Sequence, residues 1–152
     1  MPEKKLGDLT RSHLQRVFSV NCFGPFLWYA ALGRLVRHRD LMIIATLSAR
    51  VASIGDNRLG GWHSYRASKT AQNMLTKNLS LELGRMNPKA IVVGLHPGTV
   101  DTNLSKPFRA SVSPERLFTP EQSADYLWDV LLNLTSEQSG QVIAWDGQAI
   151  VP

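Results

Sequence analysis

Tyr65 and Lys69 stand four residues apart in the run Ser64-Tyr65-Arg66-Ala67-Ser68-Lys69. On a helix, positions i and i+4 share a face, so this spacing sets a phenol beside an ammonium. A free tyrosine titrates near pKa ~10, and a cation held close favours the phenolate and lowers that value. A tyrosine tuned in this way can exchange a proton with an alcohol or carbonyl oxygen near neutral pH. The pair alone is a weak signal, and its setting gives it weight. A His96-Pro97-Gly98 turn ends an apolar run at 90–95, and Ser48 follows another apolar run at 41–47.

The elements that must position these groups can be read from pattern. Residues 10–38 read as a helix, with Asp8 or Thr10 as its cap and Leu14, Val17, Phe18, Asn21 and Cys22 on one face. Pro25 interrupts it. With no N–H to offer the carbonyl of Asn21, it leaves that acceptor free if the helix continues. The run 41–47 is short, apolar and bounded by charge, the pattern of a strand buried on both sides. Residues 49–62 are rich in Ser, Gly, Asp and Asn and form a loop. A second helix spans 63–86, bracketed by Gly84 and Pro88. The strand 90–95 follows, then a polar loop with Pro107 and Pro114. Thr119-Pro120-Glu121-Gln122 opens a further helix with a capping box. Gln141 to Trp145 is a last short strand, where Trp145 packs.

Helix, strand, helix, strand, helix, strand argues for an α/β fold with a parallel sheet and covering helices. The 152 residues suffice for one domain with a core. Hydrophobic residues make up 43% and charged residues 19%, as in soluble globular proteins. No apolar run approaches the roughly 20 residues of a membrane span, and the N-terminus leads into no signal-peptide core. The single Cys22 rules out an internal disulfide and fits a reducing cytoplasm. The net charge of +5 includes a cluster at Arg34, Arg37, His38 and Arg39, read as a solvated helix end. No basic stripe interleaved with aromatics points to nucleic acid.

Together these pieces resemble the short-chain dehydrogenase/reductase family, in its C-factor and carbonyl-reductase-like branch. The matching segments are Val20-Asn21-Cys22-Phe23-Gly24, Leu47-Ser48-Ala49-Arg50, Ser64 to Lys69, His96-Pro97-Gly98-Thr99-Val100-Asp101-Thr102 and Trp145-Asp146-Gly147. The resemblance implies an oxidoreductase that uses NADP or NAD, with a carbonyl or alcohol as small-molecule substrate. It implies Tyr65 as the acid/base and Lys69 as the group that holds the nicotinamide ribose and lowers the tyrosine pKa. A serine would hydrogen-bond the substrate oxygen, and Asn21 would anchor a proton-relay water. Pro97, Gly98, Thr99, Val100 and Thr102 would lie beside the nicotinamide, with Tyr65 and Lys69 also touching the cofactor. The serine is Ser48 or Ser53: where the family carries a Ser-Ser pair, this chain reads Ser48-Ala49. Trp62 and His63 either line a substrate pocket or pack in a loop, and His96 reads as structural.

The resemblance also defines an absence. No strand, glycine-rich turn and helix of the kind that cradles a dinucleotide diphosphate occurs, since Gly55, Gly60 and Gly61 lie after the wrong strand. The chain thus reads as a single partial domain, 1–152, resembling the C-terminal part of a Rossmann-type doubly wound sheet with about three strands. The strand 41–47 is then an open edge, which invites pairing with another chain. In the family, helices equivalent to 10–38 and 63–86 form a dimer bundle, so a homo-oligomer is expected.

Overall fold

The order of elements is α1 (Arg11–Phe18), α2 (Gly24–Ala31), β1 (Met42–Leu47), α3 (His63–Met86), β2 (Ala90–His96), β3 (Thr99–Val100), β4 (Leu117–Phe118), α4 (Pro120–Leu132) and β5 (Val142–Ala144). The structure, a computed structural model, describes residues 3–33, 35–106 and 112–152. Arg34 and Pro107 of the sequence reading lie outside them. Strands β1, β2 and β5 form one parallel sheet in that order, with Leu47 opposite Leu95 and His96 opposite Ala144. The fold is the α/β, Rossmann-type arrangement expected from the alternation of helices and strands.

Successive side chains of a strand point to opposite faces, and the two faces of this sheet build two cores. On one, Ile44, Ala90 and Val92 pack with Leu83 and Leu79 of α3 and with Tyr29 of α2. On the other, Ile91, Val93, Leu95 and Ile143 pack with Leu127, Val130 and Leu131 of α4. Val92 and Val93 are thus buried from opposite sides of one strand, and each such side chain contributes about 1.5–3 kcal/mol.

Strand β1 departs from the expected burial on both sides. Ile44 and Thr46 are buried, whereas Ile43 is 37% and Leu47 56% exposed. The cause is the reach of α4, which lies over β2 and β5 and leaves the outer strand open on that face. β1 is also the edge of the sheet, as expected.

The first helix is shorter than the 10–38 reading and is not uniform. Thr10 caps α1 by accepting from His13 N–H at 3.2 Å. Ser19–Phe23 then forms a π-helical turn, in which Gly24 N–H donates to Ser19 O, before α2 resumes. A π turn is the usual accommodation where the i→i−4 ladder is broken, and Pro25 breaks it here. The helix ends at Ala31, followed by Leu32 and Gly33, because glycine favours leaving the helix. Among the described residues no helix is long and apolar enough to cross a membrane.

Helix α3 matches its predicted span. It stops at Asn87 (φ −138°) because the residue before a proline is pushed out of the helical region. Helix α4 carries the predicted capping box: Gln122 N–H donates to Thr119 Oγ1 at 3.1 Å, and Thr119 N–H to Gln122 Oε1 at 2.9 Å. The loop preceding α4 holds the short parallel pair β3–β4, Thr99 opposite Leu117 and Val100 opposite Phe118, where a polar loop was expected.

Gly98 sits where this pair leaves β2. Its φ of +76° is in the left-handed region, and a Cβ there would lie 2.5 Å from the Phe118 ring and 3.1 Å from Trp145. Phe118, Tyr126 and Trp145 pack together, with ring centroids 4.7–5.3 Å apart. Gly98→Ala combines backbone strain with overpacking, so it should destabilise the fold by about 2–4 kcal/mol. Urea unfolding of the two proteins checks this.

Candidate active site

The carboxyl ends of β1 and β2 and the first turns of α3 enclose a cavity of about 310 Å³, within the range of small-molecule sites. Seven of the residues singled out from sequence line it: Ser48, Tyr65, Pro97, Gly98, Thr99, Val100 and Thr102. Trp62 and His96 also line it. Phe108, offered from sequence as a wall or packing residue, lies outside the described residues. Lys69 and Asn21 are not among the lining residues.

Each group is held by a specific element. Ser48 continues β1: its N–H donates to Leu95 O at 2.7 Å, and its hydroxyl donates to Asn73 Oδ1 of α3 at 2.6 Å. Ser53, the alternative serine, lies elsewhere. Its Oγ donates to Pro152 O at 3.4 Å and accepts from Asp56 N–H at 3.0 Å. Of the two, Ser48 shares the cavity with Tyr65. Asn21, in the π turn, donates through Nδ2 to Ser68 Oγ at 3.1 Å, and Ser68 donates on to Tyr65 O at 2.8 Å. The π turn is thereby tied to the helix that carries Tyr65.

Lys69 is 8% exposed. Its ammonium donates to Leu47 O at 2.6 Å and to Gln72 Oε1 at 3.0 Å. Burial pushes its pKa down from the ordinary lysine value to about 8, against a smaller opposing effect of the buried Cys22. Burial likewise pushes the Tyr65 phenol up. The lowering expected from an adjacent cation is therefore not what governs Tyr65 here. The Lys69 ammonium is engaged with the end of β1 and with Gln72, and desolvation of the phenolate dominates.

The start of α3 is clamped by a residue the motif reading did not include. The Glu3 carboxylate accepts from Ser64 N–H at 3.3 Å and from the Ser64 hydroxyl, and Trp62 N–H donates to Glu3 O at 2.7 Å. A carboxylate suits the positive end of a helix. The clamp fixes Trp62, whose φ is +50°, directly before Tyr65. Gln72 and Asn73 were also missed. Their signal was present, since amides three and four residues after Lys69 fall on the same helical face.

A nicotinamide-ribose group needs hydroxyl and amide partners at one end of an apolar slot. The cavity is lined at one end by Tyr65, Thr99 and Thr102 and by the Gly98–Val100 turn, with His96 beside them. His96 Nδ1 is buried and has no hydrogen-bond partner. These residues fit the nicotinamide end of such a cofactor. Among the described residues there is no glycine-rich diphosphate cradle: Gly60 and Gly61 have positive φ but lie in the loop before α3. No group of three metal-ligating side chains occurs among the described residues.

Burial, then Arg50, pushes the His96 pKa down from 6.5 to about 4, with Asp146 opposing. The unfolded chain therefore binds a proton that the folded chain refuses between these values. Stability present above pH 6.5 is lost as pH falls toward 4, by as much as about 3 kcal/mol. His96→Asn should flatten this acid limb in urea unfolding curves. Parallel limbs in the two proteins would contradict the assignment.

With this geometry in hand, the relatives take on meaning. The sequence model of the family described as short chain dehydrogenase matches residues 1–113. The chain is 36% identical over 143 residues to 1-hydroxy-2-glutathionyl-2-methyl-3-butene dehydrogenase of Rhodococcus sp. strain AD45, covering 94% of this chain and 60% of that relative. It is 30% identical to C-signal of Myxococcus xanthus, covering 95% and 82%. The NADPH-bound carbonyl reductase from chicken fatty liver superposes with a TM-score of 0.85 at 26% identity, over 99% of this chain and 61% of that one. The carbonyl reductase Sniffer of D. melanogaster shares the fold, with a TM-score of 0.86 at 23% identity. The chain thus spans about three fifths of the length of the dehydrogenase and of the two reductases. On the sequence match, the shared fold and the clustering of its motif residues around one cavity, the chain belongs to the short-chain dehydrogenase family.

Proposed function

We propose that this chain carries the substrate and nicotinamide end of an oxidoreductase acting on a carbonyl or alcohol. The observation that carries the reading is the convergence of Ser48, Tyr65 and the Pro97–Thr102 segment on one cavity. NADP or NAD, when bound, supplies the hydride. The remaining chemistry falls to the chain. Because burial raises the Tyr65 pKa, the phenol keeps its proton at neutral pH, the form that donates to the oxygen of a carbonyl undergoing reduction. Ser48, released from Asn73, donates a second hydrogen bond to the same oxygen and stabilises its developing charge. Lys69 holds the ribose hydroxyls, and Asn21 anchors the relay that returns a proton to Tyr65. The NADPH-bound relative supports a nicotinamide cofactor.

No glycine-rich turn of the kind that grips a diphosphate occurs in these 152 residues. A second reading, a non-catalytic chain that acts by association or in signalling, draws on that and on the open face of β1. Leu27 and Trp28 of α2 and Met74 and Leu81 of α3 are also exposed apolar groups. They suit a bundle between two copies built from the 10–38 and 63–86 segments.

Titration of the purified chain with NADPH and NADH, followed by cofactor fluorescence, separates the readings. Saturable binding in the micromolar range supports the enzyme, and no binding by a folded sample supports association. Where carbonyl reduction is measurable, Tyr65→Phe should lower its rate at least about 100-fold. Unchanged turnover would remove Tyr65 from the chemistry.

A further inference from the structure

Gln72 is 1% exposed, in the interior face of α3. An amide at such depth is costly unless both of its ends are hydrogen-bonded, and both are. Oε1 accepts from Lys69 Nζ at 3.0 Å, and Nε2 donates to Leu47 O at 3.0 Å. Lys69 Nζ donates to the same Leu47 carbonyl at 2.6 Å. Lysine, glutamine and the last carbonyl of β1 therefore close a ring of three hydrogen bonds. A leucine in this place would fill the space at lower polar cost, but it would leave the ammonium with one acceptor fewer.

We propose that Gln72 is a positioning residue of the site, one that keeps the Lys69 ammonium charged and fixed at the carboxyl end of β1. The inference rests on the reading of Lys69 as a member of that site. The ring places Lys69 directly before Ser48 along β1 and one helical turn after Tyr65 on α3.

The surroundings of Lys69 leave this task to neutral acceptors. Cys22, from the π turn, is the titratable group that favours its charge from across the packing, and Tyr65 precedes it on its own helix. β1 contributes the Leu47 carbonyl. No carboxylate forms an ion pair with Lys69 among the described residues. A lysine already pushed down to about 8 is therefore sensitive to the loss or gain of a single acceptor.

The test is a side-chain NMR titration of the full chain, labelled at lysine with ¹³C and ¹⁵N, over about pH 6 to 11. The Lys69 resonance is followed in the wild-type protein, Gln72→Leu and Gln72→Glu. Gln72→Leu should weaken proton binding at Lys69 by about tenfold, and Gln72→Glu should strengthen it by about tenfold or more. Gln72→Glu keeps the shape of the side chain, so it decides the matter even where Gln72→Leu does not fold. Equal midpoints in the wild-type protein and Gln72→Glu overturn the inference. NADPH titration of the same proteins separates it from the reading beneath it. Midpoints that move while NADPH affinity stays constant uphold Gln72 and remove Lys69 from the cofactor site. Midpoints that stay fixed while affinity falls overturn the role of Gln72 and leave Lys69 in place.

Discussion

The carbonyl of Leu47 is where the long helix and the sheet are joined. It is the last carbonyl of an edge strand, and it receives two donors from α3, the ammonium of Lys69 and the amide of Gln72. One residue later, Ser48 is bound on both sides, to Leu95 O of the neighbouring strand and to Asn73 of the helix. The position of Tyr65 relative to Ser48 follows from these ties and from the parallel register of Leu47 opposite Leu95. A slip of one residue would send Ser48 to the other face of the sheet and dissolve the cavity wall. Sites in open α/β sheets form at the carboxyl ends of parallel strands, and here that end is cross-braced.

Burial acts in one direction on Tyr65, Lys69 and His96. The tyrosine is pushed up, and the lysine and histidine are pushed down, so each is moved toward its neutral form. This is the signature of a poorly hydrated slot, where desolvation outweighs the attraction between partners. It accounts for the difference between the expected and observed tuning of Tyr65. Sequence spacing reveals that a cation is near a phenol, but it does not reveal how much water both have lost. The same environment strengthens any hydrogen bond made to a substrate oxygen there.

The long elements were legible because each carried more than one agreeing signal. Helix α3 had its apolar stripe, the turn residues before it and Pro88 after it. Helix α4 had threonine, proline and glutamine in capping order. The cluster of Ser48, Tyr65 and the Pro97–Thr102 segment was legible through motif order. What escaped the reading depends on partners far apart in the chain. Glu3 meets Ser64 across 61 positions, and no local pattern announces such a clamp. The β3–β4 pair is two residues long on each side, too short for periodicity. The half-open face of β1 was hidden because an apolar run reads alike whether one face or two are covered.

Cys22 shows how the packing of this site can be followed without a ligand. It is 2% exposed, it sits in the π turn, and burial raises its pKa despite Lys69 nearby. A thiol of this kind reacts only when the turn lifts from α3, and the chain has no second cysteine to compete with it. The rate at which a thiol reagent consumes it is therefore a clock for local opening. That clock runs in the segment that holds Asn21 against the helix of Tyr65, so it times the loosening of the region behind the cavity rather than of the chain as a whole.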